Sequence, residues 1–586
     1  MFRHSSSQQS LFTSAYQLSA RKRRRLEQTW AWDYQAHCLP MIDEELFRSL
    51  YSEDTGAPCK SVRLVVAVLL LQAMCDLTDA ETQYHVDFDL RWHLALRLDP
   101  CDDDDYVSQR TLQYFRVRLA DHPVTGLLFD SLLDQQIAFL GTKIDQQRVD
   151  STQIRSNFAR LSRLGLFCET HRVLLRALHR DAPAPLATLP ASLRRRYLAD
   201  DATNSSYDDA RASDSRRRLA VAARDAYRLR EALRGVALPP DAAEAYALLL
   251  RLVAEHCTLV PAPQPSAEGD ADADLAPVPV VPTEAKLLTG AVLQTPHDPE
   301  VTYSGHKGPG YAVLLAETCH PENAVQLLTH YAVDPCCEGD ADRVAPTLAA
   351  LAERAILPTT LLADTSFGSV ENVVACAQQG VELIAPQPGK AGATDAAAPC
   401  GVRDADFTVQ LVPSQPPSTC PCGVAALQTV VRDDPEEGPV ALLEMPTASC
   451  AACLRRAWCP ALRLESDDTL VLIALRENLP PRRRALEQTE AFRDAYRPRA
   501  GIEGTNSEVK RGQGLGTLRV RGRPRVAPAV GFRVMACNLK RMLTYLVNTR
   551  RQAHKQALSL FFTLTNTLKS VWRVWRPPYI VCQAVA

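Results

Sequence analysis

Apolar residues crowd first into "SVRLVVAVLLLQAM", from Ser61, a block with the length and density of a buried helix. "TDAE" at 78–81 sets a hydroxyl at a helix start and a carboxylate three residues on, a capping box opening a second helix. "SQRTLQYFRVRLADH", from Ser108, predicts a third helix carrying Arg110, Arg116 and Arg118. Short helices with projecting arginines suit a DNA-binding module or a plain bundle. The pattern then changes: the segment around Arg148 to Thr152 reads as a strand ending in Asp150. Residues 155–256, rich in alanine, leucine and arginine, predict helices that run into a mobile Pro- and Asp-rich linker over 258–285.

"GYAVLLAETC" and "NAVQLLTHYAV" predict a strand pair, followed by a helix in "VAPTLAALAERA". "TTLLADTSFGS" is an apolar strand ending in Asp364, "VENVVACAQQG" a helix, and "VELIAP" another strand. This order resembles an α/β ribonuclease-H-like catalytic core carrying insertions. The expected division is an all-helical N-terminal DNA-binding region (1–140), a core made of 141–154, 290–386 and 486–530, a helical insert with its linker (155–289), a Cys-rich insert (387–485) and a basic helical C-terminal tail (531–586).

Charge changes that picture. The net charge is only -2, yet from Ala491 onward 18 Lys and Arg face three acids, Asp494, Glu503 and Glu508. "RKRRR" at 21–25 is a second basic cluster and "DDDD" at 102–105 an acidic loop. Such segregation suits a protein that lays particular faces on a phosphate backbone. Trp572, Trp575, Phe561 and Phe562 in the basic tail argue for packed structure there. The longest apolar run near the front, Leu64 to Leu71, is too short to span a bilayer. "MFRHSSSQQS" lacks the apolar segment of a secretory signal, so the expected home is the cytoplasm, without membrane contact. There the eighteen cysteines are expected as thiols or metal ligands.

The candidate chemistry lies in "YRPRAGIEGTNSEVKRG", from Tyr496. Taken as one helix, it gathers Tyr496, Arg499, Glu503 and Lys510 into a stripe of about 60° and turns Glu508 away. One acid, two cations and an aromatic could grip a phosphate chain while the acid holds a metal, or could form surface ion pairs. Gly501 and Gly504 weaken a helix but let another backbone come close. Asp150 and Asp364 each precede small hydroxylated residues, and acids at strand ends project into the cleft of an α/β sheet. Carboxylates brought together call for a divalent cation; Mg2+ takes oxygen ligands, and two such ions can assist in-line displacement at phosphorus.

These residues resemble the DDE transposases of bacterial insertion sequences, in the branch marked by Tyr, two residues, Arg, three residues, Glu, six residues, Lys, a spacing met by Tyr496, Arg499, Glu503 and Lys510. "VDSTQIRSN" is similar to the family's first-aspartate motif and "ADTSFGSVENV" to its second. "TPHDPEVTYSGHKGPGYAVLLAET" and "VSQRTLQYFRVRL" also resemble stretches of these proteins. One departure is "DTSFGS", where many relatives have a glycine-tyrosine pair; Phe367 keeps the ring without the hydroxyl. The resemblance implies cut-and-paste transposition with Asp150, Asp364 and Glu503 as catalytic ligands of two Mg2+ or Mn2+ ions. It implies contacts to DNA phosphates from Tyr496, Arg499 and Lys510. Its partners would be double-stranded DNA at transposon ends and target, and a second copy of the chain in a nucleoid-associated homodimer. His306 and Lys307 line the same cleft or simply form a hairpin turn, and Arg110 is a further candidate DNA contact.

Cys420 and Cys422 in "TCPCG", with Cys450, Cys453 and Cys459 in "CAACLRRAWC", offer five thiols for a four-ligand structural zinc site. Similar clusters occur at this place in related transposases. Cys420 and Cys422 compete for one position, and buried free thiols are the alternative.

Overall fold

The computed structural model describes residues 2, 4, 18–52, 55, 59–99, 106–198, 207–208, 212–261, 278–389, 402–459, 461–463 and 469–574. The acidic run at 102–105 and Trp575 lie outside them, as does the side chain of Trp572.

The front of the chain is helical. Val62–Cys75 starts where the Ser61 hydroxyl caps Leu64 N at 3.2 Å, and Asp79–Phe88 carries the full Thr78–Glu81 capping box. Gln109–Leu119 follows, but its arginines do not project freely. Arg116 is bound to Asp79 at 2.7 Å, Arg118 lies over the Tyr51 ring, and Arg110 donates to Tyr114 Oη on its own helix. Nearby carboxylates and rings satisfy guanidinium donors before any outside partner does. The basic helix Ala20–Glu27 leaves Arg21, Lys22, Arg24 and Arg25 exposed.

The basic C-terminal stretch is no simple tail. One helix runs Arg523–Val574, and its first half, from Val526 through Val530, Met535, Leu539 and Met542, is buried against Val62–Cys75 and Val124–Leu140. Apolar periodicity in "VAPAVGFRVMACNLKRML" makes it core. The packing expected from Phe561 and Phe562 is absent: they are 62% and 63% exposed.

Behind these helices lies the sheet: β1 (Gln146–Ile154), β2 (Gly308–Thr318), β3 (Leu328–Pro335), β4 (Thr360–Leu362) and β5 (Glu382–Ile384). Its order is β3-β2-β1-β4-β5, antiparallel from β3 to β1 and parallel from β1 to β5, with a short strand Thr302–Ser304 also paired to β2. Helices Val344–Glu353 and Val370–Gln378 carry the chain from β3 to β4 and from β4 to β5. Residues 310–318 of β2 are buried without interruption, as for a strand covered on both faces. Val313 and Leu315 face the N- and C-terminal helices, whereas Leu314, with Val149 of β1, faces the opposite core. Asn538 of the long helix satisfies both backbone groups of Leu328, at 2.8 and 2.9 Å.

The insert after β1 is helical, as its composition predicts, and Arg163–Asp181, Ala212–Ala232 and Pro240–His256 build a separate core. The linker differs from expectation at its ends, where Cys257–Leu259 and Val280–Pro282 pair as a two-stranded ladder. The Cys-rich region forms an antiparallel sheet, Gln428–Asp434, Gly438–Met445, Thr469–Ala474 and Ala461–Arg463. Its Leu443 and Ile473 join the core shared with Val149 and Leu314.

Candidate active site

Register brings the first two acids together. Arg148 pairs with Leu362 in the parallel β1–β4 ladder, so two residues further along each strand come Asp150 and Asp364. Asp364 stands just past β4, as read from the sequence, but Asp150 does not end its strand. Its antiparallel partner β2 carries β1 on to Ile154, opposite Tyr311. Asp150 therefore shares one face of β1 with Arg148 and Thr152, and the Glu503 helix packs on that strand.

The stretch around Glu503 is not one helix. Glu490–Tyr496, a 3-10 turn Arg497–Ala500 and the helix Gly501–Gly512 follow one another. Pro498 removes a backbone donor and interrupts the spiral. The helical pitch changes before Glu503, yet Arg499 and Glu503 still pair across one turn at 3.0 Å, and Tyr496, with its ring stacked on Phe492 at 5.7 Å, still feels the charges of Arg499, Asp364 and Asp150. Glu508 does point away, to Arg541 at 2.8 Å.

Arg499 ties the three acids together. Its guanidinium is 3.6 Å from Asp150 Oδ1, 3.6 Å from Asp364 Oδ2 and 3.0 Å from Glu503 Oε1. The three carboxylates, drawn from segments more than a hundred residues apart, open on one cavity of about 450 Å3, also lined by Lys307, Asn506, Lys510 and Arg511. Asp150 is the most enclosed acid, and burial pushes its carboxyl up to about 6, reinforced by the charges of Glu503 and Asp364 and opposed by Arg499. His306, on the exposed hairpin turn, does not line the cavity, and neither does Tyr496; Arg110 is occupied by Tyr114.

Several side chains that hold this arrangement were not singled out in the sequence. Asn506, one turn beyond Glu503 on the same helix, donates to Asp150 Oδ2 at 2.9 Å. Asp340 accepts from Ser151 Oγ at 2.5 Å and lies 3.3 Å from Ser366 Oγ, so the hydroxyl residues following both aspartates meet on one carboxylate. Asp364 also caps the turn Thr365–Phe367 through Ser366 N, at 2.8 Å. Phe367 is buried in the core. Beneath the site Glu317, fully buried on β2, accepts from Arg148, Arg541 and Thr505, the last at 2.7 Å. Arg148 donates onward to Pro498 O at 2.6 Å and passes so close to Gly501 that a Cβ there would come within 2.0 Å of it. Only the one-turn spacing of Asn506 left a signal in the sequence; Asp340 and Glu317 depend on long-range pairing.

As placed, no group of three or more His, Cys, Asp or Glu side chains among the described residues forms a ready ion site. Arg499 stands where charge compensation is needed. The donor set itself is made of hard oxygens, and Asn506 Oδ1 is buried beside it without a hydrogen-bond partner, a composition that fits a hard divalent cation. In the Cys-rich region Cys420, Cys422, Cys450 and Cys453 line one cavity of about 390 Å3, with Cys422 and Cys453 sulfurs 3.4 Å apart. Cys459 packs with Cys420 and Cys450 against the neighbouring core.

The three acids thus converge at one cavity of a mixed α/β protein with a helical N-terminal region. Two stretches of the chain match family models. Residues 419–543 match the model described as Transposase DDE domain, and residues 34–118 match Transposase domain (DUF772). Together the two matches support a DDE transposase of an insertion sequence. The first match spans Glu503, Arg499 and most of the buried part of the C-terminal helix; the second spans the helices Val62–Cys75 and Asp79–Phe88 and nearly all of Gln109–Leu119. No curated protein and no solved structure gives a match. Among the described residues no helix is long and apolar enough to cross a membrane.

Proposed function

We propose that the chain binds the terminal repeats of its own insertion sequence, cuts the strands there and joins the freed ends to a target by cut-and-paste transposition. The observation that carries this reading is the convergence of Asp150, Asp364 and Glu503 on Arg499 within 3.6 Å. The strand order β3-β2-β1-β4-β5, with its antiparallel and parallel halves, supports a ribonuclease-H-like core.

Asp150, Asp364 and Glu503 would hold two Mg2+ or Mn2+ ions, which when bound activate an attacking oxygen and stabilise a leaving one. Lys307, Lys510 and Arg511 hold the DNA phosphates at the cavity. Arg499, surrounded by the carboxylates, offsets part of their charge and stands within reach of a phosphate bound there. Water first attacks phosphorus at a transposon end, and the departing 3'-oxygen takes up a proton to become a hydroxyl. That hydroxyl then attacks phosphorus of the opposite or target strand and displaces its 3'-oxygen. Two copies of the chain, one for each end, would act on the same DNA. In the Cys-rich sheet, four of Cys420, Cys422, Cys450, Cys453 and Cys459 would hold a structural zinc ion that braces the fold without entering the chemistry.

The test is nicking of a plasmid carrying the element's ends, with Mg2+ and with chelator. Asp150→Asn, Asp364→Asn and Glu503→Gln are expected to abolish cleavage while retaining DNA binding in gel shifts. Full cleavage by any one of them removes that residue from the mechanism, and cleavage in chelator removes the metal.

A further inference from the structure

Away from the acidic site, a second cavity of about 590 Å3 opens between the helix Gln109–Leu119, the start of Asp79–Phe88 and the Pro528–Arg533 part of the C-terminal helix. Its size is that of a small-molecule site. Leu69, Leu77, Val117, Pro528 and Phe532 give it apolar walls. Four guanidiniums, Arg116, Arg519, Arg525 and Arg533, also line it. Two of them are engaged: Arg116 with Asp79 at 2.7 Å, and Arg519 with Asp76 at 2.8 Å.

The other two have capacity left. Arg525 is exposed, and its side chain makes no ion pair or hydrogen bond among the described residues. Arg533 is only 12% exposed, its nearest carboxylate oxygen, on Asp76, is 3.9 Å away, and its Nε is buried without any partner. Its Nη1 donates to Ala529 O at 3.0 Å, so the unmet donor is Nε, and a buried guanidinium with an unmet donor is costly unless an anion completes it. Burial also pulls the Arg533 guanidinium down to about 10. Among the described residues Asp79 on the wall and Asp76 and Glu81 beside it oppose the four cations, so the cavity keeps an excess of positive charge. Gln109 and Gln113, one turn apart, are exposed on its rim and bring amide donors and acceptors able to pair with a base edge.

We propose that this cavity is a nucleotide site, with Arg525 and Arg533 on the phosphate, Phe532 and the aliphatic wall against the base, and Gln109 and Gln113 at the base edge. A neutral apolar ligand would leave the guanidiniums unmet, and inorganic phosphate would leave the apolar wall uncovered. The ligand has two possible sources, a free nucleoside monophosphate or an unpaired nucleotide of a DNA strand. The site uses none of the acidic residues, so it stands or falls separately from the catalytic reading.

The experiment is calorimetric titration of the full chain, in chelator, with dAMP, with a short single-stranded oligonucleotide and with a blunt duplex. Arg525→Gln is the main variant, because an exposed side chain without partners can be replaced without disturbing the fold; Gln113→Ala is the second. Binding of dAMP that weakens about tenfold in both variants supports a free-nucleotide site. Binding of the single strand alone, with the same loss and with duplex affinity unchanged, supports an unpaired nucleotide of DNA. Binding of neither, or binding indifferent to both substitutions, overturns the proposal.

Discussion

Asn506 donates its side-chain amide to Asp150 across 2.9 Å, joining the Glu503 helix to the central strand of the sheet. Because Asn506 lies one turn from Glu503, this bond sets how far the helix-borne acid stands from the strand-borne one. Asn506→Ala is expected to raise the Mg2+ concentration for half-maximal nicking about tenfold, about 1.4 kcal/mol, while DNA affinity stays the same. An unchanged Mg2+ titration would show that Asn506 does not position the acids.

Asp150 carries the burden of ionisation in a half-dry cavity. Its carboxyl, raised to about 6 from the usual 3.8, costs the folded protein about 3 kcal/mol when ionised at neutral pH. Stability from this group therefore rises as pH falls from about 7 towards 4, where the folded form keeps its proton and the unfolded chain has lost it. Asp150→Asn is expected to melt higher than the wild type at pH 7.5 without divalent metal, with the difference shrinking by pH 5. A difference between the two proteins that is flat across this range would refute the account.

Gly501 and Gly504 sit three residues apart on one helix and face different surroundings. An added Cβ at Gly501 meets Arg148, itself pinned by Glu317 and Pro498 O, whereas Gly504 has nothing within 4 Å. Gly501→Ala is expected to destabilise by about 1–3 kcal/mol and to lower nicking, since Arg148 cannot retreat without releasing its partners. Gly504→Ala should stabilise by up to about 1 kcal/mol. Urea unfolding of the two variants measures both, and equal effects would contradict the close-approach argument.

The cysteines offer a test that does not depend on activity. The purified chain is expected to contain about one zinc ion, and Cys453→Ser to lose most of it and to melt at lower temperature. Metal-free protein with undiminished thermal stability would leave Cys422 and Cys453 as ordinary thiols in contact.

What the sequence determined by itself was local. Capping at Ser61 and Thr78, the buried run of β2, the hydroxyl residues after two aspartates and the spacing around Glu503 are all written within a few positions, because propensity and periodicity act over one or two turns. Tertiary structure decided the rest. Pairing with β2 extends β1 beyond Asp150, and the apolar face of the C-terminal helix makes a basic segment part of the core. Asp79 and Tyr51 take up arginines that read as free, while Glu317 and Asp340 reach the site from strands and loops far away in the chain. A guanidinium binds whichever carboxylate the fold brings within reach, and that choice is made by distance in space, which residue order alone does not specify.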